Sequence, residues 1–168
     1  SSFINEEYLN LYDKFIVVKS ISKSYGVPGV RLGVLCTSNI NLINHIKKDV
    51  SIWNINSFGE FYLQIYEKYK KDYVVALKNI KHARRIFIDK LQQVKEFRVI
   101  PSEANYVTIE VLEGTSKELC ISMLEKNIFI KDLTPKINWL NKQFIRVAIR
   151  DEVDNDLFVK AIQSYYNA

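Results

Sequence analysis

Hydrophobic positions near the start of the chain form short runs separated by polar stretches. Residues 15–18, Phe-Ile-Val-Val, are too few for a helix and predict a buried strand. A polar stretch containing glycines covers residues 19–33, and Val34–Leu35 predicts a second short strand. Asn39 or Asn41 can then cap a helix whose apolar residues recur near the 3.6-residue period. This part of the chain is therefore predicted to mix strands with a helix.

The longest periodic stretch covers residues 57–94 and contains no proline. Phe61, Ile65 and Tyr69 recur at four-residue spacing, as the buried face of a helix requires. The pattern predicts either one bent helix or two helices with a break near residues 70–72. The aromatic stripe is expected to pack in the core.

The last third of the chain predicts a small α+β domain whose sheet is covered on one face. Thr115 with Glu118 three residues later predicts a helix start, and Asp151 can cap a final helix. The predicted elements are strands at 97–100 and 106–111, a helix from 115 to about 126, strands at 128–130 and 144–149, and a helix after 151.

Composition narrows the class of protein. The chain has 168 residues, of which 48% are hydrophobic, and this is enough for one sizeable core and excludes a disordered chain. No apolar run reaches the roughly 18–20 residues that span a bilayer. Cys36 and Cys120 cannot form a disulfide framework, so we expect free thiols and a cytoplasmic location.

The net charge of +5 comes mostly from lysines that are scattered among acidic residues. This distribution is typical of a solvated surface, so we expect neither a nucleic acid nor a membrane as partner. A basic nucleic-acid-binding module remains an alternative, which a steep loss of affinity with salt would support.

The polar stretch at residues 20–33 reads Ser-Ile-Ser-Lys-Ser-Tyr-Gly-Val-Pro-Gly-Val-Arg-Leu-Gly. Lys23 directly follows a strand predicted to be buried, and burial favours the neutral amine that condenses with aldehydes. The hydroxyls of Ser20 and Ser22 and the guanidinium of Arg31 suit a phosphate dianion. The alternative is a surface lysine in a loop and an arginine in a salt bridge.

This run resembles the cofactor-lysine signature of fold-type I pyridoxal-phosphate enzymes, in the aminotransferase class I/II family, with Ser-x-Ser-Lys and then Gly-x-Arg-x-Gly. The resemblance implies that Lys23 binds pyridoxal 5'-phosphate covalently and later moves a proton. It also implies that Ser20, Ser22 and Arg31 hold the cofactor. Within the family, the chain is most similar to the histidinol-phosphate aminotransferase branch, which includes threonine-phosphate decarboxylase-like proteins.

Two later segments extend the resemblance. Residues 103–106, Glu-Ala-Asn-Tyr, resemble a small-domain segment and suggest Asn105 as a substrate contact. Residues 144–149 resemble the strand whose arginine grips the substrate carboxylate, a role that falls on Arg146. An arginine reaching solvent at the domain edge is the competing interpretation. Lys131 stands where a related strand usually has arginine, so a fork-shaped anion contact there is in doubt.

The fold implied is α/β, the C-terminal part of a fold-type I transferase. Residues 1–56 are expected to end the large-domain sheet, 57–94 to form a connecting helical region and 95–168 to form the small α+β domain. Trp53, in the segment between the domains, is expected to pack at a hinge, and the alternative is that its segment lines the substrate entrance. Residues 1–4 resemble the segment just after the aspartate that pairs with the pyridine nitrogen. We therefore expect that aspartate and the glycine-rich phosphate turn to precede the chain.

The expected activity is that of a pyridoxal-phosphate-dependent aminotransferase, which exchanges an amino group between an amino acid and a 2-oxo acid, as a homodimer. The 168-residue piece alone is expected to be inactive or nearly so. A decarboxylase of the threonine-phosphate decarboxylase type would use the same lysine and differ in its products. A catalytically silent domain on the same scaffold would bind no cofactor.

Overall fold

The structure is a computed structural model that describes residues 5–137 and 141–167. The feature predicted at residues 1–4 lies outside the described residues. Packing divides the chain into two compact units, unit 1 from Ser1 to Tyr73 and unit 2 from Val74 to Ala168. The boundary falls inside the long helix, so each unit contains part of it.

Unit 1 contains two short paired strands and several helices. Strand β1 runs antiparallel to β2, with Ser20 opposite Gly33. Asn39 caps α3, because its side chain accepts a hydrogen bond from the Leu42 N–H at 2.9 Å. The elements are α1 Glu6–Asn10, β1 Val17–Ser20, α2 Ile21–Ser24, a 3₁₀ turn Pro28–Val30, β2 Gly33–Cys36, α3 Ile40–Asp49 and the start of α4 Ser57–Leu91.

The first strand differs from its prediction in position and burial. It begins at Val17 rather than Phe15 and continues to Ser20, because that segment is the one that lies opposite β2. Val18 is 74% exposed, so the strand is not buried as predicted. The second strand contains the predicted Val34–Leu35 pair.

Helix α4 is one helix from Ser57 to Leu91, and the two-helix alternative is wrong. No proline interrupts the ladder. The side chain of Asn56 accepts a hydrogen bond from the Gly59 N–H at 2.9 Å at the helix start. A Glu67–Lys70 ion pair at 3.1 Å supports the helical turn that leads into residues 70–72, where the alternative places a break.

The predicted core role of the aromatic stripe holds only in the later part of α4. Phe87 is 1% exposed, and Leu91 is also buried. Phe58, near the helix start, is 79% exposed, and Phe61 is exposed as well. Trp53 is 90% exposed, so it does not pack within unit 1. Helical period therefore identified an apolar face that is only partly covered within unit 1, where Tyr66 and Tyr73 pack on Tyr25.

Unit 2 is a four-stranded antiparallel sheet with the order β3-β4-β6-β5. The strand predicted at residues 128–130 is wrong, because only Lys131 and Asp132 lie opposite β6. Thr115 and Asp151 cap the two helices as predicted. The elements after α4 are β3 Phe97–Ile100, β4 Tyr106–Val111, α5 Ser116–Glu125, β5 Lys131–Asp132, β6 Gln143–Ala148 and α6 Glu152–Tyr166.

The core of unit 2 lies between one face of this sheet and the helices α4, α5 and α6. Alternate strand residues point into it, and each fully buried aliphatic or aromatic side chain contributes about 1.5–3 kcal/mol. The core members include Phe87, Leu91, Val107, Ile109, Leu119, Met123, Ile145, Val147, Phe158 and Ile162. The sheet is covered on one face as predicted, and the opposite face carries Tyr106, Thr108 and Arg146. None of the helices in the described ranges has both the length and the apolar character to cross a membrane.

Candidate functional site

The loop between β1 and β2 carries Ser20, Ser22, Lys23 and Arg31. Strand β1 ends at Ser20, whose hydroxyl accepts a hydrogen bond from the Lys23 N–H at 3.4 Å and so caps the one-turn helix α2. The Lys23 side chain is exposed, which corrects the expectation of burial. The cause is local, because the chain turns into α2 directly after the strand and carries Lys23 off the sheet.

Ser22 closes this loop. It is 1% exposed, and its hydroxyl donates to the Leu32 carbonyl at 3.1 Å and accepts from the Leu32 N–H at 2.5 Å. The Ser22 N–H also donates to the Leu32 carbonyl, at 3.2 Å. The two ends of the loop are thereby tied together, and Arg31 is held at a fixed place relative to α2. The hydroxyl is occupied by backbone groups, so Ser22 positions its neighbours.

Replacing Ser22→Ala should lower the free energy of unfolding by about 1–3 kcal/mol, because the buried Leu32 N–H loses its acceptor. Urea denaturation measures this change. Ser24→Ala is the matched control, since Ser24 is exposed, and it should stay within about 0.5 kcal/mol of wild type. An equal loss in the two variants would contradict the closing role of Ser22.

Arg31 adopts an uncommon backbone conformation for a residue other than glycine, with φ at 53°. Such conformations cluster at functional sites. Within residues 5–137 and 141–167, no hydrogen bond or ion pair joins the Arg31 guanidinium or the Lys23 amine to another side chain. Both groups are exposed. One loop therefore presents an amine that can bind an aldehyde and a guanidinium that can bind an anion.

Two residues anchor the same loop, one directly before α4 and one in the middle of that helix. The Asn56 side-chain amide donates to the Val30 carbonyl at 2.8 Å, and the Tyr73 hydroxyl donates to the Ser24 carbonyl at 3.0 Å. Neither contact is predicted from the sequence. Asn56 could have been recognised as a polar residue directly before a periodic helix. Nothing in the sequence distinguishes Tyr73 beyond its place in the apolar stripe.

The second set of predicted residues lies in unit 2. Arg146 is exposed on β6, with Thr108 opposite it on one side and Lys131 on the other. Its guanidinium carbon lies 5.1 Å from the centre of the Tyr106 ring, which holds the planar group by a cation–π contact. Like charges directly opposite in a sheet are unfavourable, so the Lys131–Arg146 pair is suited to an anion.

Asn105 directly precedes β4 and is exposed. Its backbone carbonyl accepts a hydrogen bond from the Ile149 N–H at 2.9 Å. Arg84 of α4 holds the preceding turn, donating to the Ala104 carbonyl at 3.1 Å and pairing with Glu103 at 2.6 Å. Arg84 was also missed from the sequence.

Two other side chains, Arg150 and Cys120, are not available for binding or reaction. Arg150 follows β6 and its guanidinium is bound to Asp154 of α6, unlike that of Arg146. Burial raises the pKa of the Cys120 thiol to about 11, so this thiol stays protonated and unreactive at neutral pH.

Comparison with known proteins identifies the family. The chain matches the family model described as Aminotransferase class I and II over residues 4–162. The chain belongs to this family. It is 33% identical to the L-serine phosphate decarboxylase Cj1436c of Campylobacter jejuni over 164 residues, which cover 95% of the chain and 42% of that relative.

Solved structures of the family share the fold. The histidinol-phosphate aminotransferase from Clostridium acetobutylicum matches with a TM-score of 0.87 and 29% identity, over 99% of this chain and 49% of that one. A decarboxylase from Sulfurospirillum multivorans matches with a TM-score of 0.81 and 29% identity, over 93% and 45%. The chain thus spans somewhat less than half the length of these relatives, and it has the mixed helix and sheet fold of their corresponding part.

Aminotransferase class I and II enzymes depend on pyridoxal 5'-phosphate, and the loop of unit 1 fits that cofactor. Lys23 offers an exposed primary amine for its aldehyde, while Arg31 offers an exposed guanidinium for its phosphate. The Ser20 hydroxyl remains able to donate a hydrogen bond while it caps α2. When bound, the cofactor supplies an electron sink for breaking a bond next to the substrate nitrogen.

Proposed function

We propose that this chain belongs to a pyridoxal-phosphate-dependent enzyme that decarboxylates a small amino acid carrying a phosphate group. The observation that carries the proposal is the loop of unit 1, in which the Lys23 amine and the Arg31 guanidinium are both exposed and have no side-chain partner among the described residues. The reaction is supported by the 33% identity to a relative named L-serine phosphate decarboxylase.

Each residue of the unit 1 loop has one proposed task. Lys23 Nζ binds the cofactor aldehyde and later holds or delivers the proton at the substrate carbon. Arg31 and Ser20 hold the cofactor phosphate by charge-assisted hydrogen bonds. Ser22 keeps Arg31 in place through Leu32.

Unit 2 supplies the proposed contacts to the anionic groups of the substrate. Arg146 meets the carboxylate with its fork of N–H groups and so orients the amino acid, while the Tyr106 ring limits the rotation of the guanidinium. Lys131, directly opposite, adds a second positive charge for a substrate with two anionic groups. Asn105 is the proposed polar contact at the start of β4.

Amino transfer between an amino acid and a 2-oxo acid is the second candidate. It is favoured by the TM-score of 0.87 to a histidinol-phosphate aminotransferase. Both candidates use Lys23 as the proton carrier, so they differ in whether carbon dioxide or a proton leaves the substrate carbon. The partners expected in either case are small molecules and a second copy of the chain, and the exposed apolar side chains of unit 1 support self-association.

Product analysis with the full-length protein and pyridoxal phosphate separates these candidates. O-phospho-L-serine and O-phospho-L-threonine are supplied with and without 2-oxoglutarate, and products are followed by NMR. We expect carbon dioxide and a phosphorylated amine without any oxo acid, and roughly 100-fold lower kcat/KM for unphosphorylated serine because charged contacts are lost. Glutamate formed only with 2-oxoglutarate would instead establish amino transfer.

A further inference from the structure

Four tyrosines of unit 1 lie together beside the residue that follows Lys23. We call Tyr25, Tyr62, Tyr66 and Tyr73 the tyrosine cluster. The Tyr25 ring centre lies 4.6 Å from that of Tyr73 and 5.0 Å from that of Tyr66, and the Tyr62 ring lies 6.3 Å from Tyr66. Tyr25 belongs to the loop between β1 and β2, and the other three tyrosines belong to α4. The cluster therefore joins this loop to the helix.

A single hydroxyl in this cluster contacts the backbone next to Lys23. Tyr73 donates to the Ser24 carbonyl at 3.0 Å. Ser24 is the last residue of α2, and carbonyls at a helix end lack partners within the helix. A phenylalanine would pack against Tyr25 equally well but would remove the protein donor from the Ser24 carbonyl, so the hydroxyl has a task separate from packing.

The Tyr66 and Tyr73 phenols keep their protons at neutral pH, as donors must, because their pKa values are raised. A hydrogen bond with Tyr25, followed by burial, raises the pKa of Tyr66 to about 12. Burial raises the pKa of Tyr73 as well, with Tyr25 as the next cause. Lys19 of β1, whose ammonium lies 5.8 Å from the Tyr25 ring centre, is a charged neighbour of the cluster.

We propose that Tyr73, supported by Tyr25 and Tyr66, is a positioning residue that fixes the peptide after Lys23 and so orients the Lys23 amine for reaction with an aldehyde. Because α2 is four residues long, it has too few internal hydrogen bonds to hold Lys23 by itself. The cluster supplies an attachment to a 35-residue helix instead. The inference rests on the proposed role of Lys23.

The test replaces Tyr73→Phe in the full-length protein with bound pyridoxal phosphate. This change keeps the ring and removes only the hydroxyl. We expect kcat to fall about tenfold with KM within twofold, because the substrate contacts are untouched while Lys23 is misplaced. The half-time for trapping the lysine–cofactor bond with borohydride should also change.

Tyr69→Phe is the matched control, because Tyr69 lies one turn earlier on the same helix, is exposed and is outside the cluster. It should leave kcat and the trapping half-time unchanged. Hydrogen–deuterium exchange of the peptide spanning residues 20–27 should be faster in Tyr73→Phe than in wild type or Tyr69→Phe. If Tyr73→Phe fails to accumulate, Tyr25→Leu is measured in the same way, since it removes the ring that packs on Tyr66 and Tyr73.

The outcomes separate this inference from the proposed function. A wild-type protein that forms no trapped lysine–cofactor bond overturns the function proposed for Lys23, and the inference with it. A bond that forms in wild type and in Tyr73→Phe with the same half-time, kcat and exchange rate overturns the inference alone. Slower turnover in Tyr73→Phe with unchanged Tyr69→Phe supports it.

Discussion

Replacing Lys23→Ala should abolish covalent capture of pyridoxal phosphate by the full-length protein. After borohydride reduction, mass spectrometry should find the cofactor on the peptide containing Lys23 in wild type and on no peptide in the variant. Turnover should fall by roughly 10²–10⁴-fold or more, because a positioned proton-transfer group contributes a factor in this range. The reason is local, because Lys23 is the amine that shares the loop with the exposed Arg31.

Lys14→Ala is the control for this experiment. Lys14 is an exposed lysine a few residues before β1, so its loss removes an amine without disturbing the loop. The Lys14→Ala variant should bind the cofactor, and borohydride should trap it on the protein to the same extent as in wild type. Cofactor trapped at the same stoichiometry in Lys23→Ala would contradict the assignment of this lysine, whatever the activity.

The features predicted well from sequence are those decided by neighbours along the chain. The caps Asn39, Thr115 and Asp151 each bind a backbone N–H three residues later, so their signal is local. Strands β3 and β4 have the predicted bounds, and Pro101 lies between them. The grouping of Lys23 and Arg31 was likewise readable, because both belong to one short loop.

The features that failed depend on partners distant in sequence. The run at residues 128–130 is as apolar as a strand, but only the next two residues have a strand opposite them. The exposure of Lys23 follows from α2, a helix too short to be read from periodicity. Tyr73 contacts the loop that carries Lys23, and Arg84 contacts the turn before Asn105, and both partners are distant in sequence. Nothing in the surrounding sequence distinguishes these two residues from other helical residues.

The other large effect is expected at Arg146. Arg146→Lys keeps the positive charge but loses the planar fork that can meet a carboxylate in two parallel hydrogen bonds. We expect kcat/KM for the phosphorylated amino acid to fall about 10- to 100-fold, equivalent to about 1.4–3 kcal/mol of transition-state stabilisation. Steady-state kinetics measure the loss, and unfolding in urea should stay near wild type because the side chain is exposed.

Arg150→Lys is the matched control, because Arg150 lies four residues later and is already bound to Asp154. A lysine there can keep an ion pair with Asp154, and exposed pairs contribute little to stability, so kcat/KM should stay within about twofold. Equal losses in the two variants would indicate a general effect of positive charge in this region. An unchanged Arg146→Lys would instead favour the competing interpretation, in which Arg146 only extends toward solvent and packs on the Tyr106 ring.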